Sequence, residues 1–176
     1  MLAALFRIYQ TLIPLTALLL AACGTVPQPK TSVTTPVADT GLVSLTAVGD
    51  MMLGGSSQPI LEQRGYDYPF MPTRHILESA DLTIGNLETP LTNQGAPITE
   101  KQFLFRNPPE KVAPALQRAG FDIVSLANNH TLDYGADGLL DTLTALRQYE
   151  IRYHGAGMTS ADARKPVILE LPNGQK

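Results

Sequence analysis

From Leu42 onward the chain alternates short apolar runs with segments of helical spacing. Four apolar runs, each closed by glycine, aspartate, asparagine or histidine, are predicted strands: 43–48, the run ending at Ile84, 121–126 and 151–153. Between them, 109–119 begins with proline and stops before glycine, as helices prefer. Residues 136–149 place four leucines at helical spacing. Strands that alternate with helices predict an α/β fold with a largely parallel sheet.

Two further segments lie outside this alternation. Residues 91–108 are expected to form a long loop with one strand over Gln102–Arg106. Residues Pro166–Leu171 alternate like a strand and are followed by Asn-Gly, a hairpin-turn signal. No partner strand follows, so we expect the sequence to be a fragment or a product truncated at its carboxyl end.

Composition restricts the class of protein. A chain of 176 residues with 44% apolar and 16% charged residues fits one packed domain. The net charge of −3 provides no basic surface, so nucleic acid is not an expected partner. The single cysteine excludes an internal disulfide and a cysteine zinc site.

The amino terminus has the pattern of an export signal over residues 1–22, with one early arginine before a short apolar run. That run is too short to be a good permanent membrane anchor. It ends in Leu20-Ala-Ala-Cys23-Gly24, which resembles the lipobox of bacterial lipoproteins. The resemblance implies cleavage before Cys23 and lipidation of that residue; an ordinary signal peptide with a chance cysteine is the alternative.

Residues 24–41 are rich in proline, threonine, serine and valine and lack a helical or strand period. Such a stretch is typical of an extended tether. The sequence therefore predicts a signal peptide over 1–22, a lipidated cysteine and tether over 23–41, and a folded domain over 42–176. We expect this domain to be extracytoplasmic, attached through Cys23 to the cell membrane or the outer membrane.

Polar side chains follow the predicted strands where parallel strands place their carboxyl ends together. They are Asp50, Asn86, Glu88, Asn128, Asn129, His130 and His154. Turns favour aspartate and asparagine whatever the function, so each residue alone is unremarkable. As a set, however, they offer the oxygen and nitrogen ligands that suit Mn, Fe, Zn or Mg, at the edge where open α/β sheets bind ligands. For His154 alone, a position in a loop is the favoured interpretation.

Four ordered motifs resemble the CapA capsule-synthesis family, the poly-γ-glutamate biosynthesis group within the calcineurin-like metallophosphatase superfamily. They are Thr46–Gly54, Asp81–Leu91, Phe103–Pro109 and Gly120–His130. The resemblance implies a four-layer α/β/β/α sandwich with two divalent metals at the strand ends. It also implies a role in making or exporting a capsule polymer and a phosphoesterase-like, metal-dependent hydrolase activity.

The same resemblance implies roles for individual residues. Asp50 would be a first-metal ligand, and Glu88 with Asn86 would take the place of a bridging carboxylate. Asn129 would bind the second metal, and His130 would stabilise or protonate the leaving oxygen.

The chain departs from the superfamily pattern in ways that leave other functions open. Met52 stands where the superfamily has a histidine, and the later histidine ligands lie beyond the sequence. Asp133 and Tyr134 are expected to shape the loop that holds His130. The alternatives to a hydrolase are a non-catalytic scaffold that binds the polymer or its synthase, and an inactive remnant.

Overall fold

The computed structural model describes residues 41–171 and Gly174. The predicted signal peptide, Cys23 and most of the tether lie outside these residues. The strands are β1 (Leu45–Met51), β2 (Leu82–Leu87), β3 (Ile123–Ser125) and β4 (Arg152–His154). The helices are α1 (Gln58–Arg64), α2 (Arg74–Leu77), α3 (Pro109–Arg118), α4 (Gly135–Gln148) and α5 (Ser160–Ala163), with a 3₁₀ turn at Gly55–Ser57.

The four strands form one parallel sheet in the order β1-β2-β3-β4. Each strand therefore lies beside its successor in sequence, and a connection containing at least one helix joins every pair. The α/β class predicted from the alternation of strands and helices is confirmed.

The helices pack on one face of this sheet. Crossovers between parallel strands are right-handed, so successive steps in one direction put all the connecting helices on the same side. One apolar cluster accordingly joins the sheet residues Leu87 and Val124 to Leu116 of α3 and Leu143 of α4. Of the four layers implied by the resemblance, the described residues form two, a sheet and its helices.

Both long predicted helices are present. Helix α3 begins at Pro109, whose ring is preorganised for a first helical position, and runs through Pro114 without interruption. Helix α4 buries Leu139, Leu143 and Leu146 against the core, whereas Leu140 on its outer side is 45% exposed.

Two predicted strands are wrong. Neither Gln102–Arg106 nor Pro166–Leu171 forms a strand. Near the first segment, a single isolated bridge joins Leu91 to Asn107. Apolar alternation gives a segment two different faces, but a strand also needs a neighbouring backbone to bond with.

No helix among the described residues is long and apolar enough to cross a bilayer.

Candidate functional site

The carboxyl ends of β1 and β2 bring three of the predicted site residues together. Asp50 and Asn86 are paired in register on these neighbouring strands. An irregularity in β1 between Ala47 and Asp50 re-aims its last residues. Glu88 follows β2 directly, and its main-chain N–H donates to the carbonyl of Met51 at 3.3 Å.

The side chain of Asn86 connects two carboxylates. Its Nδ2 donates to Asp50 Oδ1 at 2.8 Å and to Glu88 Oε1 at 3.2 Å. The second oxygen of each carboxylate accepts no hydrogen bond from the described residues. Two acidic groups thus converge on one amide nitrogen, and each keeps an oxygen available to a ligand.

Asn128 adds the end of β3 to this network. Its Nδ2 donates to Asn86 Oδ1 at 3.1 Å and to the carbonyl of Leu87 at 2.9 Å. Its Oδ1 accepts the main-chain N–H of His130 at 3.0 Å. The amide of Asn86 is therefore held from both sides, with its nitrogen toward the carboxylates and its oxygen toward Asn128.

The two predicted residues beyond Asn128 have different surroundings. Asn129 is exposed, and its side chain makes no hydrogen bond within the described part of the chain. His130 is 9% exposed, and its Nδ1 lies 2.9 Å from Asp133 Oδ2. The structure brings Asp50, Asn86 and Glu88 into direct contact, and it links His130 to them through Asn128 rather than through Asn129.

Asp133 is buried and fully bonded. Oδ1 accepts from Lys101 Nζ at 2.5 Å, and Oδ2 accepts from the N–H of Phe105 at 2.9 Å as well as facing His130. The expectation that Asp133 shapes the loop holding His130 is consistent with these contacts. No local sequence signal marks Lys101, which reaches this carboxylate from 32 positions away.

Phe105 packs its ring between two strand ends. On one side, the ring centroid lies 4.8 Å from that of His130. On the other, a Cβ placed on Gly55 would clash with the ring at 2.7 Å, and one placed on Gly54 would press on the Phe105 Cβ at 3.0 Å, so these two glycines leave room for Phe105. The loop that carries Phe105 is thereby wedged between the segments after β1 and β3.

Met52, at the position of the expected histidine, belongs to the internal packing. Its sulfur accepts from Thr89 Oγ1 at 3.4 Å, and the same oxygen accepts the N–H of Leu53 at 3.1 Å. His154 is the last residue of β4, in register with Ser125, so its interpretation as a loop residue is wrong.

Among the described residues, no group of three or more histidine, cysteine, aspartate or glutamate side chains lies close enough together to hold a metal ion. What the strand ends offer is two converging carboxylates and neighbouring asparagine amides. The amide oxygens of Asn86 and Asn128 are already used within the network, so the second oxygens of Asp50 and Glu88 are what these strand ends offer to a hard divalent cation such as Mg²⁺ or Mn²⁺.

Residues 44–176 match the family described as bacterial capsule synthesis protein PGA_cap. The chain belongs to this family. All the strand-end residues described above lie within the part that matches the PGA_cap family.

Three relatives are similar over much of this domain. The capsule biosynthesis protein CapA of Bacillus anthracis is 30% identical over 170 residues, which are 96% of this chain and 41% of that protein. The PGA biosynthesis protein CapA of Bacillus subtilis is 32% identical over 134 residues, which are 76% of this chain and 35% of that protein. A probable polyglutamine synthesis accessory protein of Mycobacterium tuberculosis is 36% identical over 106 residues, which are 59% of this chain and 28% of that protein. This chain thus spans less than half the length of each relative.

Proposed function

We propose that this chain takes part in the synthesis or export of a bacterial capsule polymer of the poly-γ-glutamate type. Its membership of the PGA_cap family and the names of the two Bacillus relatives support this proposal. The domain works outside the cytoplasm, attached to a membrane by lipid on Cys23. That attachment rests on the sequence alone.

The strand-end site of this proposal is a metal-dependent, hydrolase-like centre. Asp50 and Glu88 would hold a divalent cation of the Mn, Fe, Zn or Mg type, with amide oxygen from Asn129. Such a cation polarises a phosphoryl or carbonyl oxygen and lowers the pKa of a bound water. Asn86 orients the two carboxylates, and His130 holds a proton for the leaving oxygen.

The convergence of Asp50 and Glu88 on Asn86 carries the catalytic part of the proposal. The test is calorimetric titration of the full chain with Mn²⁺, followed by assays on phosphodiester and γ-glutamyl substrates. We expect saturable uptake and hydrolysis that Asp50→Asn abolishes and that Asp137→Asn, an exposed control on α4, preserves. Absence of metal uptake by the wild type, or unchanged hydrolysis in Asp50→Asn, would contradict a metal-dependent centre.

The anchor is tested separately by Cys23→Ser. We expect this variant to leave the membrane fraction and to lose incorporation of labelled fatty acid, while the same assays on Ser32→Ala resemble the wild type. Membrane attachment that survives Cys23→Ser would contradict lipidation at this position.

One observation favours a second function, a non-catalytic scaffold that holds the polymer or its synthase. Met52 occupies the position of an expected metal-binding histidine, and its sulfur is used in packing against Thr89. Capsule export in cells that carry a double Asp50/His130 alanine variant distinguishes the two functions. Normal export by that variant would establish the scaffold, and loss of export with normal protein levels would exclude it.

A further inference from the structure

The connection between β2 and α3 folds back over the segment that carries His130. We call residues 92–107 the crossover loop. Its Ile98 N–H donates to the carbonyl of Asp133 at 3.0 Å, and its Arg106 guanidinium lies 4.8 Å from the ring centroid of Tyr134. Together with the Phe105 ring on His130, these contacts hold the loop along residues 129–134.

Lys101 is the centre of this docking. Its Nζ donates to the main-chain carbonyl of Asn129 at 2.6 Å and to Asp133 Oδ1 at 2.5 Å, and it lies 3.4 Å from His130 Nδ1. The side chain of Lys101 is 25% exposed and that of Asp133 is 0% exposed. A largely sequestered ammonium therefore faces a completely buried carboxylate, the pairing that buried charges require.

The donors around Asp133 determine which nitrogen of His130 carries a proton. An ionised carboxylate only accepts hydrogen bonds, and an ammonium only donates them. The 2.9 Å contact between His130 Nδ1 and Asp133 Oδ2 consequently places a proton on Nδ1. Nε2 is then the nitrogen available for chemistry, and it has no hydrogen-bond partner among the described residues.

We propose that Lys101 is a positioning residue for the Asn129–His130 pair. Its ammonium ties the main chain of Asn129 to the carboxylate that orients the imidazole, so one side chain sets both members of the pair. The inference deepens the proposed hydrolase-like site and rests on it for its catalytic consequence. Its structural consequence, the orientation of the His130 ring, is independent of that function.

The test compares K101M, which removes the charge at similar length, with K101R, which keeps a charged donor. K111M is the matched control, because Lys111 is exposed on α3 beside the Tyr66 ring. Nitrogen-15 NMR of the full chain at one fixed alkaline pH reports the imidazole tautomer. The Asp133 carboxylate remains in K101M, so we expect the Nδ1–H form in all four proteins. In K101M alone, loss of the tie from Lys101 to Asp133 and Asn129 should shift and broaden the imidazole resonances, because the ring loses its fixed orientation.

Hydrolysis of bis(p-nitrophenyl) phosphate with Mn²⁺ gives the second readout. Supporting groups around a metal site typically contribute 10- to 100-fold, so we expect K101M to lower kcat about tenfold while KM changes less than about twofold. K101R should recover most of the lost kcat. If the wild type hydrolyses nothing, the proposed function fails, and the NMR comparison still decides the role of Lys101. Imidazole resonances that match the wild type in K101M, or in K101Q should K101M not fold, overturn the inference.

Discussion

The amide nitrogen of Asn86 lies 2.8 Å from Asp50 Oδ1, although the two residues are 36 positions apart. Parallel pairing of β1 with β2 puts them in register, and the irregularity in β1 brings the carboxylate to the strand end. Because the same nitrogen also donates to Glu88, the sheet presents two carboxylates as one unit. A single strand-end asparagine therefore orients two carboxylates at once.

Replacing Asn86 with alanine tests this arrangement. The change removes both hydrogen bonds to the carboxylates. It also removes Asn86 Oδ1, one of the two acceptors of Asn128 Nδ2, and leaves the Leu87 carbonyl as the other. Residues that orient metal ligands typically contribute 10- to 100-fold to affinity, so we expect Mn²⁺ to bind at least about tenfold more weakly. Loss of these bonds, of which the one to Asp50 is exposed and the others are part-buried, should also lower the free energy of unfolding by about 1–2 kcal/mol.

Asn93→Ala is the matched control, because Asn93 is exposed and donates only to Glu110. Mn²⁺ affinity by calorimetry and unfolding free energy in urea are measured for both variants. The difference between them separates the effect of orienting the carboxylates from the effect of removing any asparagine side chain. Equal Mn²⁺ affinity in Asn86→Ala and Asn93→Ala would show that Asp50 and Glu88 need no orientation from Asn86.

The order of the four strands and of the two long helices, α3 and α4, was accessible from sequence, because each of these elements has a local pattern. The end of α3 before Gly120 was visible for the same reason, but the predicted stop at Gly49-Asp50 is wrong, because β1 continues through these residues to Met51. Pro166–Leu171 shows where periodicity fails: it alternates as a strand does but has no strand partner in the described fold. Local pattern specifies faces, whereas pairing depends on contacts made elsewhere in the chain.

The candidate site was predictable to a similar extent. Asp50 and Asn86 lie near the ends of two strands that pair, and Glu88 follows the second strand, so topology alone brings them together. Lys101 and Phe105 belong to an irregular loop, and they reach Asp133 across 32 and 28 positions. A loop has no period that reveals its docking place, so their contact with this segment was not predictable from the sequence.

Asp133→Asn should be strongly destabilising although it changes the shape of the side chain little. The buried carboxylate accepts from Lys101 and from the Phe105 N–H, and the amide that replaces it leaves the ammonium without a counter-charge. Breaking one side of a buried ion pair typically costs 3–5 kcal/mol. Because Lys101 is partly exposed, we expect a loss near the lower limit, about 3 kcal/mol, measured by urea unfolding.

Asp137→Asn provides the comparison for this charge removal. Asp137 is exposed in the first turn of α4, where a carboxylate interacts with the helix dipole and contributes less than about 1 kcal/mol. A loss in Asp133→Asn no greater than that in Asp137→Asn would mean that the Lys101–Asp133 pair does not stabilise the fold.

At Gly95 the backbone of the crossover loop lies tightly against the segment after His130. Gly95 has a φ of +77°, and a Cβ there would lie 2.2 Å from the carbonyl oxygen of Tyr134. Alanine would add a backbone clash to the cost of positive φ, so we expect Gly95→Ala to lose about 3 kcal/mol of unfolding free energy. Hydrogen exchange at the Ile98 amide, which bonds to Asp133, should accelerate as the loop is displaced.

Gly135→Ala isolates the contribution of the backbone angle. Gly135 has a φ of +66°, but open space surrounds its Cβ position. We expect this variant to lose only about 1–2 kcal/mol, with exchange at Ile98 unchanged. Similar losses in the two alanine variants would show that the loop moves away from Tyr134 without cost.

The decrease in the free energy of unfolding at low pH depends in part on the contact between the starts of β1 and β2. Ser44 Oγ and Ser44 N–H donate to Asp81 Oδ2 at 2.6 and 2.8 Å, and these bonds hold the pKa of the Asp81 carboxyl below its ordinary value of 3.8. A carboxyl with a lowered pKa stabilises the fold above its unfolded pKa, and this contribution is lost as the pH falls through the folded pKa. Ser44→Ala removes the hydroxyl donor, so it should lower the free energy of unfolding more at pH 7 than at pH 3. In urea unfolding, the stability of this variant should therefore fall less steeply between pH 7 and pH 3 than that of the wild type. Ser56 is exposed and has no described side-chain hydrogen bond, so Ser56→Ala should leave the pH dependence unchanged. Parallel stability curves for the wild type and Ser44→Ala would contradict the role of the Ser44 hydroxyl.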